Sequence, residues 1–85
     1  MYLHLGFEKV IKSENIIGIF DLDNTTLQKS SRDYLARAEK AGNIENVCED
    51  LPKSFVVCSE NGKRKIYITQ ISSSTILKRV NTGII

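Results

Sequence analysis

Apolar residues along this chain alternate, run together or recur at helical spacing, and each pattern predicts a different element. Leu3-His4-Leu5 and Lys9-Val10-Ile11 flank Gly6-Phe7, and a two-residue turn there needs Gly6 at positive φ, as in a type II′ hairpin. That register sets Leu3 opposite Val10 on one face and Tyr2 opposite Ile11 on the other. Ile16 to Phe20 is an almost continuous β-branched run. It predicts a strand covered on both faces, in the middle of a sheet or at a contact between copies. Asp21 to Thr26 is too polar to continue it.

Ser30-Ser31-Arg32-Asp33 reads as a helix start, with Ser30 as N-cap and Asp33 at the capping-box position. The helix is expected to end near Ala41, with Gly42 as its C′ residue. Tyr34, Leu35, Ala38 and Ala41 form the packing stripe, and Arg32, Asp33, Arg37, Glu39 and Lys40 decorate the rest. Ile44 and Val47 suggest a short extended segment, and Pro52 cannot donate within a central strand. Ser54 to Ser59 and Arg64 to Ile71 are joined by Glu60-Asn61-Gly62-Lys63, the strongest hairpin signal in the chain. Centring the turn on Asn61-Gly62 pairs Phe55 with Ile68 and Val57 with Ile66, an apolar set expected to face the core. Ser54 with Thr69, Val56 with Tyr67 and Cys58 with Lys65 form a mixed face, expected to be exposed or at an interface.

Ser72-Ser73-Ser74-Thr75 offers N-caps for a last helix packing through Ile76, Leu77 and Val80, with Asn81 to Ile85 as a frayed tail. These elements predict an α+β fold: a small, predominantly antiparallel sheet of about five to six strands with two helices, ordered β-β-β-α-β-β-α. One domain spans 1–85, and a core this small makes association with further copies expected.

Hydrophobic residues at 41% and charged residues at 26% describe a folded soluble protein. No basic region precedes an apolar stretch at the amino terminus, and no segment reaches the length of a membrane span. Cys48 and Cys58 are then expected as free thiols in the cytoplasm. The net charge of +2 is uneven: residues 1–50 hold six basic against nine acidic side chains, and residues 51–85 hold six basic against Glu60 alone. The carboxyl-terminal part is the candidate for meeting a polyanion.

Asp21-x-Asp23-x-Thr25 after an apolar run has the form in which haloacid-dehalogenase phosphatases present their nucleophile. Asp21 would attack phosphorus, Asp23 would act as general acid and base, and Mg²⁺ would join carboxylate to substrate. That chemistry also needs a lysine and a second acidic pair from later strands of a doubly wound parallel sheet. A crossover unit takes about 30 residues, and the chain after Thr26 holds only about two, one interrupted by the Asn61-Gly62 hairpin. Thr26 also stands where that family prefers an apolar residue. The better reading is a polar turn whose short side chains bond the backbone. A calcium loop counted from Asp21 would put Thr26 at the glycine position and Arg32 at the bidentate-glutamate position. Cys48, Cys58 and His4 lack the paired spacing of a zinc site. No catalytic residue, metal or cofactor is expected.

Four stretches carry a wider likeness: Met1-Tyr2-Leu3-His4-Leu5-Gly6, Asn15-Ile16-Ile17-Gly18-Ile19-Phe20-Asp21, Leu51-Pro52-Lys53-Ser54-Phe55-Val56-Val57, and Ile71-Ser72-Ser73-Ser74-Thr75-Ile76-Leu77-Lys78-Arg79. In order and spacing, over nearly the whole chain, they resemble the RemA/RemB family of bacterial extracellular-matrix regulators, the RemB branch most of all. The resemblance implies regulation of matrix and biofilm gene transcription by a homo-oligomer, and for the RemA branch a ring-like assembly on double-stranded DNA. RemA-like members carry adjacent arginines where this chain has Glu49-Asp50-Leu51-Pro52-Lys53, and a further basic position falls here at Glu14-Asn15. Lys53 alone is left of those contacts. Lys63, Arg64 and Lys65, with Lys78 and Arg79, are the residues that could replace them. A few charges bind DNA weakly and with strong salt dependence, whereas repetition around an assembly multiplies the effect. The basic residues have no aromatic platform for stacking single strands. The alternative is an oligomeric scaffold that acts through a protein partner without touching DNA.

Overall fold

The computed structural model describes residues 2–6, 9–22, 29–48 and 51–82. Its elements are β1 (Tyr2–Gly6), β2 (Lys9–Lys12), a 3-10 turn (Ser13–Asn15), β3 (Ile16–Asp21), α1 (Lys29–Lys40), β4 (Ile44–Asn46), β5 (Ser54–Glu60), β6 (Lys63–Thr69) and α2 (Ser73–Thr82). The expected α+β class holds, with six strands in two sheets and β4 as a third strand after α1. β1 and β2 form a two-stranded antiparallel sheet, while the other four run in the order β3-β5-β6-β4. β4 lies parallel to β6, and the other pairs are antiparallel.

The β5–β6 hairpin has the register expected from Asn61-Gly62: Phe55 pairs Ile68, Val57 pairs Ile66 and Cys58 pairs Lys65. Both turn residues have positive φ, as a two-residue loop following the strand twist requires. Alternation then sends Phe55, Val57 and Ile66 to one face, where Tyr34, Leu35 and Ala38 of α1 cover them. The opposite face, expected to be exposed or at an interface, is instead buried within the chain. Val56, Cys58 and Tyr67 are buried there against Leu3, Leu5, Ile11, Val47 and Ile76, so β1, β2 and α2 form a third layer over it. Ser54 and Thr69 are also fully buried, because their hydroxyls donate to the Ile71 and Leu5 carbonyls and leave no polar group unpaired.

The β1–β2 register differs from expectation by one residue. Leu3 pairs Ile11, His4 pairs Val10, and an irregularity between His4 and Gly6 sets Gly6 opposite Lys9. The shift places both large apolar residues, Leu3 and Ile11, in the core and leaves Tyr2 and Val10 exposed. Burial of two such side chains decides the register.

β3 is an edge strand, not a central one. A bulge between Ile16 and Gly18 leaves Ile17 without a direct partner on β5 and resets the side-chain alternation. Ile16 and Ile19, three residues apart, therefore both pack on the β1–β2 side. Phe20 faces the other way and stacks on Phe55 with ring centroids 4.9 Å apart. Ile17 and Phe20 keep about half their surface open, at 55% and 45%.

α1 starts at Lys29, so Ser30 lies in the first turn and not before it; its side chain, the expected cap, lies outside the described residues. The other end follows expectation. Gly42 N–H donates to the Glu39 carbonyl and Asn43 N–H to that of Ala38, the paired bonds of a Schellman motif. Ala41, expected in the packing stripe, is exposed. In α2, Ser72 Oγ accepts from Thr75 N–H at 3.3 Å, an N-cap bond. Ile76 is fully buried and Val80 partly so, but Leu77 is 47% exposed, since it turns away from the sheet. The helix continues through Asn81 and Thr82, which removes those two residues from the expected frayed tail.

Candidate nucleic-acid interface

The β5–β6 turn gathers cations from two distant parts of the chain. A recess of about 350 Å³ at this end of the sheet is lined by Lys9, Val10 and Lys12 of β2, by Asn15, by Glu60 and Asn61 of the turn, and by Tyr67. Lys9 Nζ lies 5.0 Å from the centroid of the Tyr67 ring and 3.7 Å from Glu45. Tyr67 donates from its hydroxyl to Glu60 Oε2 at 2.6 Å. Burial, and then that hydrogen bond, raise the Tyr67 pKa well above its ordinary value. Burial, and then the Glu60 charge, push the Cys58 thiol up to about 11, so this cysteine is a protonated core residue at neutral pH.

The six basic residues singled out in the sequence do not share one surface. Lys63 is exposed beside the turn, on the face that carries Lys65 and Tyr67. Arg64 points to the α1 face, because neighbours in a strand alternate. Lys65 is held by Glu45 at 3.6 Å. Lys53 lies beyond the far end of β5, whose seven residues place it roughly 20 Å from the turn. Its side chain is exposed, while its backbone accepts from Leu22 N–H and donates to the Thr69 carbonyl. Lys78 is exposed on α2. Arg79 donates to the His4 carbonyl at 3.3 Å, which ties α2 to β1.

Lys9 and Lys12, which sequence reading did not single out, sit at the same end as Lys63. Val10 and Ile11 between them marked a strand, but nothing in the sequence said which turn that strand would lie beside. Asp21 is exposed at the end of edge strand β3, in a sheet that is not doubly wound, and Asp23 lies outside the described residues. Among the described residues no three His, Cys, Asp or Glu side chains cluster as metal ligands. Both cysteines are free, Cys58 buried and Cys48 half-buried, and Cys48 Sγ donates to Asn46 Oδ1 at 2.9 Å. No helix among the described residues is long and apolar enough to cross a membrane.

The class these features define is a small three-layer α+β domain with a cationic turn and an apolar edge strand. No protein-family model matches the chain. It is 35% identical over 79 residues to extracellular matrix regulatory protein B of Bacillus subtilis (strain 168), a match that covers 93% of this chain and 89% of that protein. The chain belongs to this family of extracellular matrix regulators.

Proposed function

We propose that this protein is a non-enzymatic, cytoplasmic regulator of matrix and biofilm gene transcription that binds double-stranded DNA as a homo-oligomer. The observation that carries the reading is the meeting of Lys9 and Lys12 with the β5–β6 turn, beside the exposed Lys63, in a relative of an extracellular matrix regulatory protein. A single subunit offers few phosphate contacts, so affinity comes from repetition of the turn around an assembly. Self-association is supported by edge strand β3, which has no strand partner on its outer side among the described residues and carries the exposed Ile17 and Phe20. Lys53, Arg64 and Lys78 are secondary contacts in this proposal. Arg79 acts mainly through its bond to the His4 carbonyl, and Lys65, like Lys9, shares its charge with Glu45.

One observation favours a second reading, an oligomeric scaffold that binds a protein partner. Glu45 lies within ion-pair distance of both Lys9 and Lys65 and offsets part of their charge, which lowers the positive field at the turn. Measuring the mass in solution and then duplex binding across a salt series separates the two. Steeply salt-dependent binding lost in the Lys9, Lys12, Lys63 triple glutamate variant supports DNA contact. An intact oligomer without affinity even at low salt leaves the scaffold.

A further inference from the structure

A second recess lies on the opposite side of the four-stranded sheet, between α1 and β6. It is an open depression of about 280 Å³ lined by Tyr34, Arg37, Ala38 and Ala41 of α1, by Asn43, and by Arg64 and Ile66 of β6. The buried Ile66 forms its floor. The methyl groups of Ala38 and Ala41 leave room where larger side chains would close the helix onto the strand. Arg37 and Arg64 are both exposed, and neither guanidinium has a carboxylate or carbonyl partner among the described residues. The recess therefore joins an apolar body to two uncommitted forked donors.

We infer that this recess binds a small amphipathic carboxylate, with its apolar body on Ile66, Ala38 and Tyr34 and its carboxylate between Arg37 and Arg64. The volume is below the roughly 300–1,000 Å³ of pockets for drug-sized ligands, which limits the body to a short chain or one ring. Guanidinium matches carboxylate geometry in two parallel hydrogen bonds, stronger than neutral ones. The bland role of Arg37, a cation favoured at the carboxyl end of a helix, accounts for neither Arg64 nor the apolar floor. The negative end of α1 opposes an anion here. That opposition is reduced because the Arg37, Ala38 and Glu39 carbonyls already accept the Ala41, Asn43 and Gly42 N–H groups. The Asn43 backbone N–H is already given to the Ala38 carbonyl, so it is the side-chain amide of Asn43 that can add a donor. This inference stands whether or not the protein binds DNA.

Octanoate is the probe, titrated into the 85-residue chain by calorimetry and by backbone amide NMR. Octanol supplies the body without the charge, and acetate the charge without the body. Saturable octanoate binding with shifts confined to residues 34–43 and 64–66, at least about tenfold tighter than either control, is expected. Arg37→Gln and Arg64→Gln should each weaken it about tenfold, Ala41→Leu should block it by filling the recess, and Lys78→Gln should leave it unchanged. All four positions are exposed, and circular dichroism of each variant checks that it is folded. Octanol binding as tightly as octanoate, affinity unmoved in both arginine variants, or no saturable binding would each overturn the assignment.

Discussion

The Tyr67 hydroxyl and the Glu60 carboxylate are joined by a 2.6 Å hydrogen bond that ties the end of β5 to the middle of β6 beneath the Lys9 ammonium. Tyr67 itself is 1% exposed. Its ring contributes to the core of the β1–β2 side, and its polar end belongs to the turn. Tyr67→Phe keeps the ring and removes the bond, and is expected to cost about 1 kcal/mol in urea unfolding. Tyr67→Ala also opens a cavity and should cost about 3–5 kcal/mol. Equal stability of wild type and Tyr67→Phe would show that water replaces the tyrosine hydroxyl at Glu60 without loss.

Gly6 and Gly62 make a second comparison. Both have positive φ, 141° and 80°, but a Cβ at Gly6 would lie 2.5 Å from the Val47 carbonyl oxygen, while one at Gly62 meets nothing within 4 Å. Gly62→Ala should therefore cost about 1 kcal/mol of backbone strain. Gly6→Ala has to move the Val47 backbone as well and is expected to cost several times more. Thermal unfolding of the two variants checks the order; a smaller loss at Gly6 would mean that the segment after β4 yields easily.

Thiol chemistry separates the two cysteines. Cys58 is fully buried with its pKa raised from 9.0 to about 11, whereas Cys48 is half-buried. A disulfide reagent at neutral pH should label one thiol in the native protein and two in denaturant. Because the folded pKa lies above the unfolded one, the protonated thiol favours folding at low pH. That contribution is full below about pH 9 and is lost as pH rises toward 11, by roughly 1–3 kcal/mol. Tyr67, shifted in the same direction, adds to the loss at still higher pH. Cys58→Ala should flatten the decline between pH 9 and 11 without abolishing it, and an unchanged slope would remove Cys58 as a cause.

The exposed edge gives a test of assembly. Phe20→Lys and Ile17→Lys place charges on β3, a common means of blocking strand addition. If β3 is the contact, light scattering should show a smaller species for both variants, with the fold kept. An unchanged mass would move the contact elsewhere, for instance to the exposed Tyr2, Val10 or Leu77.

Local chemistry was enough to read the Asn61-Gly62 turn, the β5–β6 register, the Gly42 helix end and the cap of α2, because each is set by residues close together in the chain. The class of fold followed from their order. Other features depended on which layers meet. The mixed face of β5 and β6 is buried because β1, β2 and α2 fold over it, and no pattern within the hairpin states that. The Ile16–Phe20 run looked central because it is apolar throughout; a bulge at Ile17 and an edge position turn part of it outward. The site divided in the same way. Lys63, Arg64 and Lys65 are consecutive in sequence, but strand alternation sends Arg64 to the opposite face, where it joins Arg37 over Ile66. Lys9 and Lys12 come from the acidic half of the chain and reach the basic turn only through tertiary packing. Sequence fixes which residues are charged and which way neighbours alternate, whereas the packing of layers decides which charges share a surface.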